Sequence, residues 1–244
     1  MFVIVTGSNG TIGQSIVKKF SSNKYQIIGI DRHKKSKIKI DHYFSFDLEY
    51  FSKNTKKSNS LMAELRSLIP KNKLHVLVNN AAIQKNSSLK KVTLDEWEKT
   101  FAVNVTAPLF LSKKIIDKIH KKGSIINIGS IHSKLTKTGF LSYSVSKASL
   151  NALTRSMALE LGNKIRVNAV EPAAVNTKML KKGFGKNYNL KLSSLKNCHP
   201  VQDIGDPAEI AELVYSISSE NMPFLNGSII SIDGGISSRL FDPS

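Results

Sequence analysis

The feature that most constrains the fold of this chain is a series of short apolar runs that alternate with stretches of helical character. The runs are rich in Val and Ile and show little alternation of polar and apolar side chains. They predict strands over residues 2–6, 26–31, 42–46, 74–79, 124–129, 166–170 and 228–232. Strands that are apolar on both sides are typical of a parallel sheet covered by helices on both faces. The pattern therefore predicts a doubly wound parallel α/β sheet in a single domain over residues 1–244.

The predicted helices fall between these strands, and one of them covers residues 11–22. The sequence from Thr93 to Glu96 has the pattern of a reciprocal capping box and predicts the start of a long helix towards Ile119. Residues 206–209 predict another helix start, with Pro207 in the first helical position. Because a parallel sheet binds ligands at the carboxyl ends of its strands, we expect functional side chains just after the strands.

A glycine-rich loop, Thr6-Gly7-Ser8-Asn9-Gly10-Thr11-Ile12-Gly13, follows the first predicted strand. Gly7 allows a tight turn, Gly10 lets the backbone approach a pyrophosphate, and Gly13 lets the helix pack close to the strand. Free N–H groups at the start of the helix then bind the anion. Between a strand and a helix, this loop predicts the dinucleotide site of a Rossmann-type fold, and an ordinary glycine-rich turn is the alternative.

Asp31 ends the second predicted strand, where a carboxylate can accept both hydroxyls of the adenosine ribose. Such a carboxylate repels a 2′-phosphate, so the sequence favours NAD over NADP as the cofactor. Arg32 follows directly and could pair with that phosphate, which leaves NADP possible.

Tyr143 and Lys147 are four residues apart and would lie on one face of a helix. A tyrosine normally holds its proton, with a pKa near 10, and a neighbouring cation lowers that pKa. Tyr143 could then exchange a proton with a carbonyl or alcohol oxygen near neutral pH. Ser130 follows the strand predicted at 124–129 and can hydrogen-bond the same oxygen. Taken one at a time these residue types are more often structural, and Ser130 could serve only as a helix cap.

Together with motifs along the whole chain, these residues resemble the short-chain dehydrogenase/reductase family in its compact, single-domain form. The matching positions, in family order and at family spacing, are 6–13, Asp47, Leu48, 79–82, Asn104, Ser130, 143–147, Asn168, Pro172, Val175, Thr177 and 233–235. The resemblance implies an NAD(P)-dependent oxidoreductase that transfers a hydride between a nicotinamide cofactor and an alcohol or carbonyl substrate.

The resemblance also implies roles for the matching residues. Tyr143 is the general acid/base, Lys147 lowers its pKa and binds the nicotinamide ribose, and Ser130 orients the substrate oxygen. Asn104 kinks its helix and holds a water that links Lys147 to solvent. The implied cofactor contacts are Gly7, Asn9, Gly10, Thr11, Ile12, Gly13, Asp31, Arg32, Asp47, Leu48, Asn79, Ala81, Tyr143, Lys147, Pro172, Val175 and Thr177.

Two positions depart from the family pattern. Thr11 stands where compact members usually have Gly or Ala, and Ala173 stands where they usually have Gly. The spacing around Thr11 resembles a sugar-nucleotide-modifying branch, so a sugar-nucleotide or polyol-modifying enzyme is one alternative. A cofactor-binding regulator that has lost catalysis is a second alternative, against which the intact Ser130, Tyr143 and Lys147 argue.

The region that would select the substrate gives weaker signals. Residues 178–200 are expected to form a lid, and an anionic substrate or a lysine-rich background would both explain its lysines, Lys181, Lys182, Lys186, Lys191 and Lys196. Gln84 and His132 resemble substrate-contacting positions of 3-hydroxybutyrate dehydrogenases. Phe140 occupies the place of a carboxylate-binding Lys in those enzymes, so the sequence does not name this substrate.

The formal net charge of +18 is the most unusual bulk property of the chain. The basic residues are scattered lysines, so we expect a solvated surface and no nucleic-acid or membrane partner. The single cysteine, Cys198, excludes an intrachain disulfide, and we expect no metal site. No run approaches the roughly 20 apolar residues that span a bilayer. We therefore expect a cytoplasmic protein, and the family resemblance implies a homodimer or homotetramer that acts on a small molecule.

Overall fold

The computed structural model describes residues 1–185 and 188–240. The strands in this part of the chain are β1 (Phe2–Thr6), β2 (Gln26–Asp31), β3 (His42–Ser45), β4 (Leu74–Asn79), β5 (Ile119–Ile128), β6 (Arg166–Pro172) and β7 (Ile229–Ile232). They form one parallel sheet in the order β3-β2-β1-β4-β5-β6-β7. The predicted doubly wound sheet is confirmed, and its reversal of strand order lies between β1 and β4.

Helices cover both faces of the sheet. They are α1 (Thr11–Ser22), α2 (Tyr50–Lys53), α3 (Thr55–Leu68), α4 (Leu94–Phe101), α5 (Ala107–Ile115), α6 (Leu141–Leu161), α7 (Lys178–Phe184), α8 (Tyr188–Cys198) and α9 (Pro207–Ser218). On one face α1 and α9 bury Val3 and Val5, and on the other α3, α5 and α6 bury Ile4. Because successive residues of one strand enter two cores, the strands are apolar on both sides.

Strand β5 starts earlier than the sequence predicts, at Ile119 rather than at residue 124. Its pairing with β4 jumps from Leu74↔Ile119 to Val76↔Ser124, which is a bulge in β5. Within the bulge, Lys122 has a positive φ of 73°. The polar residues of this segment carry no strand periodicity, so the sequence predicted only the regular, apolar half of the strand.

The long helix predicted from Thr93 is interrupted. A π-helical turn, Ala102–Thr106, separates α4 from α5, and a 3₁₀ turn ends the segment at Lys118. The predicted capping box is only half formed, since Thr93 Oγ1 accepts from the Glu96 N–H at 3.2 Å while the Glu96 carboxylate accepts from serine hydroxyls elsewhere. The reciprocal box at Asp206 is complete.

The segment predicted as a lid folds into α7 and α8, and neither helix contains a buried residue. Residues 186 and 187 between them, including the predicted Lys186, lie outside the described residues.

No helix within residues 1–185 and 188–240 is long and apolar enough to cross a bilayer.

Candidate active site

The glycine-rich loop turns between β1 and α1 at the carboxyl edge of the sheet. Gly7 has a φ of +64°, and a Cβ there would lie 2.8 Å from the Cα of Ala81. A Cβ on Gly13 would overlap the carbonyl oxygen of Gly7. Gly10 is the N-cap residue of α1, and no side chain caps that helix end. The loop therefore keeps backbone N–H groups available to an anion, which fits the pyrophosphate of a dinucleotide.

Asn80 fixes this loop through its side-chain amide. Its Nδ2 donates to the carbonyl oxygens of Thr6 at 2.9 Å and Gly7 at 3.1 Å. Thr6 Oγ1 in turn accepts from the backbone N–H groups of Asn80 and Ala81. Asn79, which the sequence assigned to the cofactor, points its amide into the sheet and donates to Asn127 Oδ1 at 2.8 Å. The Asn-Asn-Ala-Ala motif signalled this region, but the sequence did not show which asparagine faces the loop.

Asp31 lies at the end of β2 and is buried. Its Oδ2 accepts from the Asn9 N–H at 3.0 Å, which ties it to the glycine-rich loop. Its Oδ1 accepts from the His33 N–H at 3.1 Å and lies 2.6 Å from His33 Nδ1. The carboxylate is thus held in place by the backbone, and the imidazole beside it is exposed. His33 is a part of this corner that the sequence did not single out.

The basic loop after Asp31 is fastened through its backbone. Asn9 Nδ2 donates to the Lys35 carbonyl and to Tyr43 Oη, and Asn9 Oδ1 accepts from the Lys37 N–H at 2.8 Å. The Arg32 side chain is exposed. Asn9 therefore acts here as a structural link between two loops.

Three further residues that are predicted to contact the cofactor, Asp47, Leu48 and Ile12, have structural partners. Asp47 Oδ1 accepts from the Glu49 N–H at 3.1 Å, and Leu48 is buried in the core cluster under α3. Ile12 packs against the opposite core cluster through the first turn of α1. Each of these residues thus has a structural contact of its own, and their contact with the cofactor stays a prediction.

Three further predicted cofactor contacts, Pro172, Val175 and Thr177, lie at or after the end of β6. Val175 is buried and pairs with Gly205 in an isolated bridge. The Thr177 hydroxyl accepts from the Leu180 N–H at 3.2 Å and so caps α7. Thr11 Oγ1 accepts from the Lys178 N–H at 3.2 Å. Thr11, which departs from the family pattern, therefore joins the glycine-rich loop to the start of α7.

Ser130, Tyr143 and Lys147 are all buried and lie together at the carboxyl end of β5. Tyr143 and Ser130 share a side-chain hydrogen bond, and Lys147 Nζ lies 5.7 Å from the centre of the Tyr143 ring. Lys147 Nζ also donates to the Ile128 carbonyl at 2.6 Å. The turn after Ser130 is stabilised by the His132 N–H, which donates to Ser130 Oγ at 3.2 Å. Ser130 is therefore both a cap and a member of this group.

Burial dominates the protonation of these groups. It raises the pKa of Tyr143 to about 12, against a smaller lowering by the hydrogen bond with Ser130. It lowers the pKa of Lys147 to about 8. The predicted lowering of the Tyr143 pKa by Lys147 is not among these causes, and the phenol holds its proton at neutral pH.

Asn104 lies inside the π-helical turn, where the chain bends between α4 and α5. Its Oδ1 accepts from the Ile83 N–H at 2.8 Å, and its Nδ2 donates to the Ile83 carbonyl at 3.0 Å. Nδ2 also donates to Ser146 Oγ at 2.9 Å, next to Lys147. Asn104 thus connects the segment after β4 to the helix that carries the tyrosine and the lysine.

Glu171 is a fully buried carboxylate at the end of β6 that the sequence analysis missed. It accepts a very short hydrogen bond from Ser133 Oγ and one of 2.6 Å from Asn151 Nδ2. Its other oxygen pairs with Lys134 Nζ at 3.0 Å. Asn151 is one helical turn after Lys147, and Ser133 ends the turn that Ser130 begins. Glu171 therefore connects Ser133, and with it the turn that begins at Ser130, to Asn151 of α6. Its only signal in the sequence is an acidic residue next to an apolar strand.

The two predicted substrate contacts lie near Tyr143. The His132 imidazole stacks on Phe140 at 4.4 Å and meets the Tyr143 ring edge-on at 5.8 Å. Burial, together with Lys137, lowers the pKa of His132 to about 4, so the ring is neutral at pH 7. Gln84 is half-buried after β4. The structure thus places two stacked rings, His132 and Phe140, beside the phenol. Substrate contact by Gln84 and His132 stays a prediction.

Known reductases are similar to this chain over most of its length. A family model described as Enoyl-(Acyl carrier protein) reductase matches residues 7–237. The 3-oxoacyl-(acyl-carrier-protein) reductase FabG of Buchnera aphidicola subsp. Schizaphis graminum is 31% identical over 237 residues, covering 96% of each chain. FabG of Vibrio harveyi is 28% identical with the same coverage.

Solved structures are similar as well. The ligand-free aldohexose dehydrogenase of Thermoplasma acidophilum superposes with a TM-score of 0.91 at 27% identity, covering 100% of this chain and 97% of its own. A 4-hydroxyisoleucine dehydrogenase complexed with NADH superposes with a TM-score of 0.85 at 26% identity, covering 98% and 99%.

A fold of this kind, matched from end to end by reductases and dehydrogenases, defines an NAD(P)-dependent oxidoreductase. More particularly, the chain belongs to the short-chain dehydrogenase/reductase family, as its sequence motifs had indicated. The alternative of a regulator without enzyme activity has no support from these relatives.

Proposed function

We propose that this protein transfers a hydride between a nicotinamide cofactor and a small alcohol or carbonyl compound, with Tyr143 as the general acid/base. The observation that carries the proposal is the buried group of Ser130, Tyr143 and Lys147 at the carboxyl end of β5. A phenol, a hydroxyl and an ammonium are buried close together in this group, where proton transfer and charge stabilisation are most effective.

In the reducing direction, a reduced nicotinamide held beside Tyr143 and Lys147 would supply the hydride that forms the new C–H bond at the carbonyl carbon. The C=O π bond opens, and the oxygen takes a proton from Tyr143 Oη as its negative charge develops. Because Ser130 Oγ already accepts from the His132 N–H, its own proton can be donated to that same oxygen. Oxidation of an alcohol runs through the reverse steps.

The proton that Tyr143 loses is replaced through Lys147, which lies on the same helix. Lys147 is the cation nearest to the phenol ring on α6, and its lowered pKa of about 8 suits proton exchange near neutral pH. Asn104 holds α6 in position through Ser146. We propose that a water bound near Asn104 connects Lys147 to solvent.

The protonation state favours reduction at neutral pH. A phenol with a pKa of about 12 is fully protonated there and can donate at once. Oxidation needs the phenolate first, so its rate should rise with pH over a range in which the reduction rate stays level.

The glycine-rich loop is the proposed pyrophosphate site, since its backbone cradle leaves no room for a Cβ at Gly7 or Gly13. Asp31 and Arg32 would border the adenosine ribose, and Asp47, Leu48 and Ala81 the adenosine moiety. Lys147 and Tyr143 would meet the nicotinamide ribose. Pro172, Val175 and Thr177 would border the carboxamide.

We propose that NAD is preferred over NADP. The Asp31 carboxylate is buried and fixed by the Asn9 N–H, whereas the Arg32 side chain is exposed and must lose rotamer freedom to bind a 2′-phosphate. Fixed negative charge should therefore outweigh mobile positive charge. The ratio of kcat/KM for the two cofactors tests this, and Asp31→Ala should shift the ratio at least about tenfold towards NADP. Arg32→Ala is the matched control and should move the ratio the other way, if at all.

The decisive test of the function is a screen of alcohols and carbonyl compounds that follows the absorbance of NADH and NADPH. The panel should include aldohexoses and 3-oxoacyl thioesters, because relatives of this chain carry those names. Sugar or polyol oxidation is the second candidate, favoured by the 0.91 TM-score with an aldohexose dehydrogenase. If no carbonyl or alcohol is turned over with either cofactor, the proposal is wrong.

We also propose that the protein is a cytoplasmic homodimer or homotetramer. Four apolar side chains on α5 and α6 are exposed: Leu109, Phe110, Val145 and Leu159, the last of which is 84% exposed. Two such helices pairing across a two-fold axis would cover this surface. Light scattering at micromolar protein concentration tests the assembly, and a monomer would contradict it.

A further inference from the structure

A second group of chemically reactive side chains lies at the opposite end of the sheet from the active site. His75 is the second residue of β4 and His120 the second residue of β5, so both lie at the amino ends of their strands. Glu220 follows α9 and reaches the same place. The proposed redox mechanism uses none of these three residues.

The bulge in β5 brings the two histidines together. The pairing of β4 and β5 loses its register between Leu74 and Val76, at the point where His75 lies. In the same bulge Lys122 adopts its positive φ of 73°, a conformation that is costly for a residue other than glycine. The two imidazole rings stack with their centres 4.7 Å apart and only 11° from parallel. Bulges often re-aim side chains for function, so this irregularity points to a use for the pair.

The polar atoms of the three side chains converge. One nitrogen from each imidazole and one carboxylate oxygen of Glu220 all lie within 4.8 Å of one another. His75 Nδ1 lies 3.1 Å from the Lys73 carbonyl, a hydrogen bond that leaves Nε2 as an acceptor. His120 Nδ1 is buried without a hydrogen-bond partner, and the nearest carboxylate oxygen, on Glu220, lies 3.4 Å away.

We propose that His75, His120 and Glu220 bind a divalent transition-metal ion, with Zn²⁺ the best match. Two imidazole nitrogens and one carboxylate oxygen are a common zinc ligand set, and they leave a fourth position for water. The hydrogen bond from His75 to a backbone carbonyl is the contact that usually orients a metal-binding histidine. Glu220 is exposed enough for its carboxylate to close the remaining distance. This site departs from the expectation that the chain binds no metal.

The bound ion would have a structural effect. It would connect the starts of β4 and β5 to the segment after α9, across the bulge that weakens their pairing. Arg166 lies near Glu220, and its positive charge lowers the local affinity for any cation. The two imidazole nitrogens favour Zn²⁺ over Mg²⁺, which requires oxygen ligands.

The test uses tag-free, metal-stripped protein and ZnCl₂. Calorimetry should give one Zn²⁺ per chain, and a hundredfold excess over Kd should raise the Tm by about 5 °C or more. Co²⁺ should give the visible d–d bands of a tetrahedral site. His75→Ala, His120→Ala and Glu220→Gln should each weaken binding at least about tenfold. His42→Ala, on β3 and outside the group, is the matched control and should bind Zn²⁺ like the wild type.

Several results would overturn the proposal. One is a wild-type protein that is neither bound nor stabilised by Zn²⁺. Another is equal binding by the wild type and the Glu220→Gln variant, which changes an exposed side chain and should fold normally. Equal loss of binding in the His42→Ala control would also do so, because it would indicate dispersed surface sites.

Discussion

Two parts of the site are built in opposite ways: the wall that carries the proposed chemistry, and the segment predicted as a lid. The wall consists of the turn from Ser130 to Ser133 and of the inner face of α6, where polar side chains are buried and hydrogen-bonded, as Asn151 is to Glu171. The segment predicted as a lid consists of α7 and α8, which contain no buried residue. It is joined to the rest of the site by the bond between Lys178 and Thr11 and by the ion pair of Lys196 with Asp203.

The difference teaches where precision is needed. Proton transfer requires donor and acceptor to be positioned within tenths of an ångström, so the wall is over-determined by contacts such as those of Glu171. A segment that must admit substrates is drawn from the less stable parts of a fold. Substitutions in the wall should therefore change turnover, and substitutions in the lid should change substrate affinity.

The largest effect is expected for Tyr143→Phe. The substitution removes the hydroxyl that exchanges the proton and keeps the ring, so kcat should fall about 10³-fold while cofactor affinity stays nearly unchanged. Steady-state kinetics and cofactor fluorescence titration measure the two quantities. Retention of most of the activity would falsify the role of Tyr143.

A smaller loss is expected for Glu171→Gln. The variant keeps the shape of the side chain but loses the ion pair with Lys134, so Ser130 and α6 should be held less firmly. We expect kcat to fall about 10- to 100-fold with little change in the KM for the cofactor. Glu160→Gln, at an exposed position of α6, is the control and should leave kcat unchanged. If Glu171→Gln behaves like its control, the brace has no bearing on catalysis.

The third prediction concerns acid stability of the wall. The pKa of His132 is about 4 in the folded chain, below its ordinary value near 6.5. The unfolded state therefore binds this proton first, and stability falls as pH drops from 6.5 to 4, with no further loss from this group below that range. Since the ring is partly exposed, we expect about 1–2 kcal/mol.

The measurement is urea unfolding of wild type and His132→Gln at pH 7 and pH 4.5. The variant should lose less stability between the two pH values than the wild type does. An identical loss in both proteins would show that His132 protonates as easily in the folded chain as in the unfolded one.

The smallest effect is expected in the lid. Lys181→Ser and Lys182→Ser remove exposed charges, so the KM for an anionic substrate should rise less than about fivefold with kcat unchanged. Neutral substrates should show no change, which separates a substrate contact from the general basic surface. A fall in kcat of the size expected for Glu171→Gln would contradict the division between wall and lid.

The sequence determined the sheet, the glycine-rich loop and the group of Ser130, Tyr143 and Lys147, because each depends on local patterning. Apolar runs that alternate with helical stretches specify a parallel sheet covered on both faces. Glycines specify turns that leave no room for a Cβ. The spacing of Tyr143 and Lys147 specifies one helix face. The family motifs then follow in order along the chain, so the class of enzyme needed no tertiary information.

Only the tertiary structure decided which polar side chain meets which partner. The Asn79 side chain points into the sheet, and that of Asn80 points towards Gly7. The Glu96 carboxylate accepts hydrogen bonds from serine hydroxyls rather than from the Thr93 backbone. The tertiary structure also placed Glu171 behind the active site and His75 beside His120. These pairings join residues far apart in the chain across strands, helices and a bulge. Their geometry depends on how whole elements pack, and no local pattern of residues records that packing.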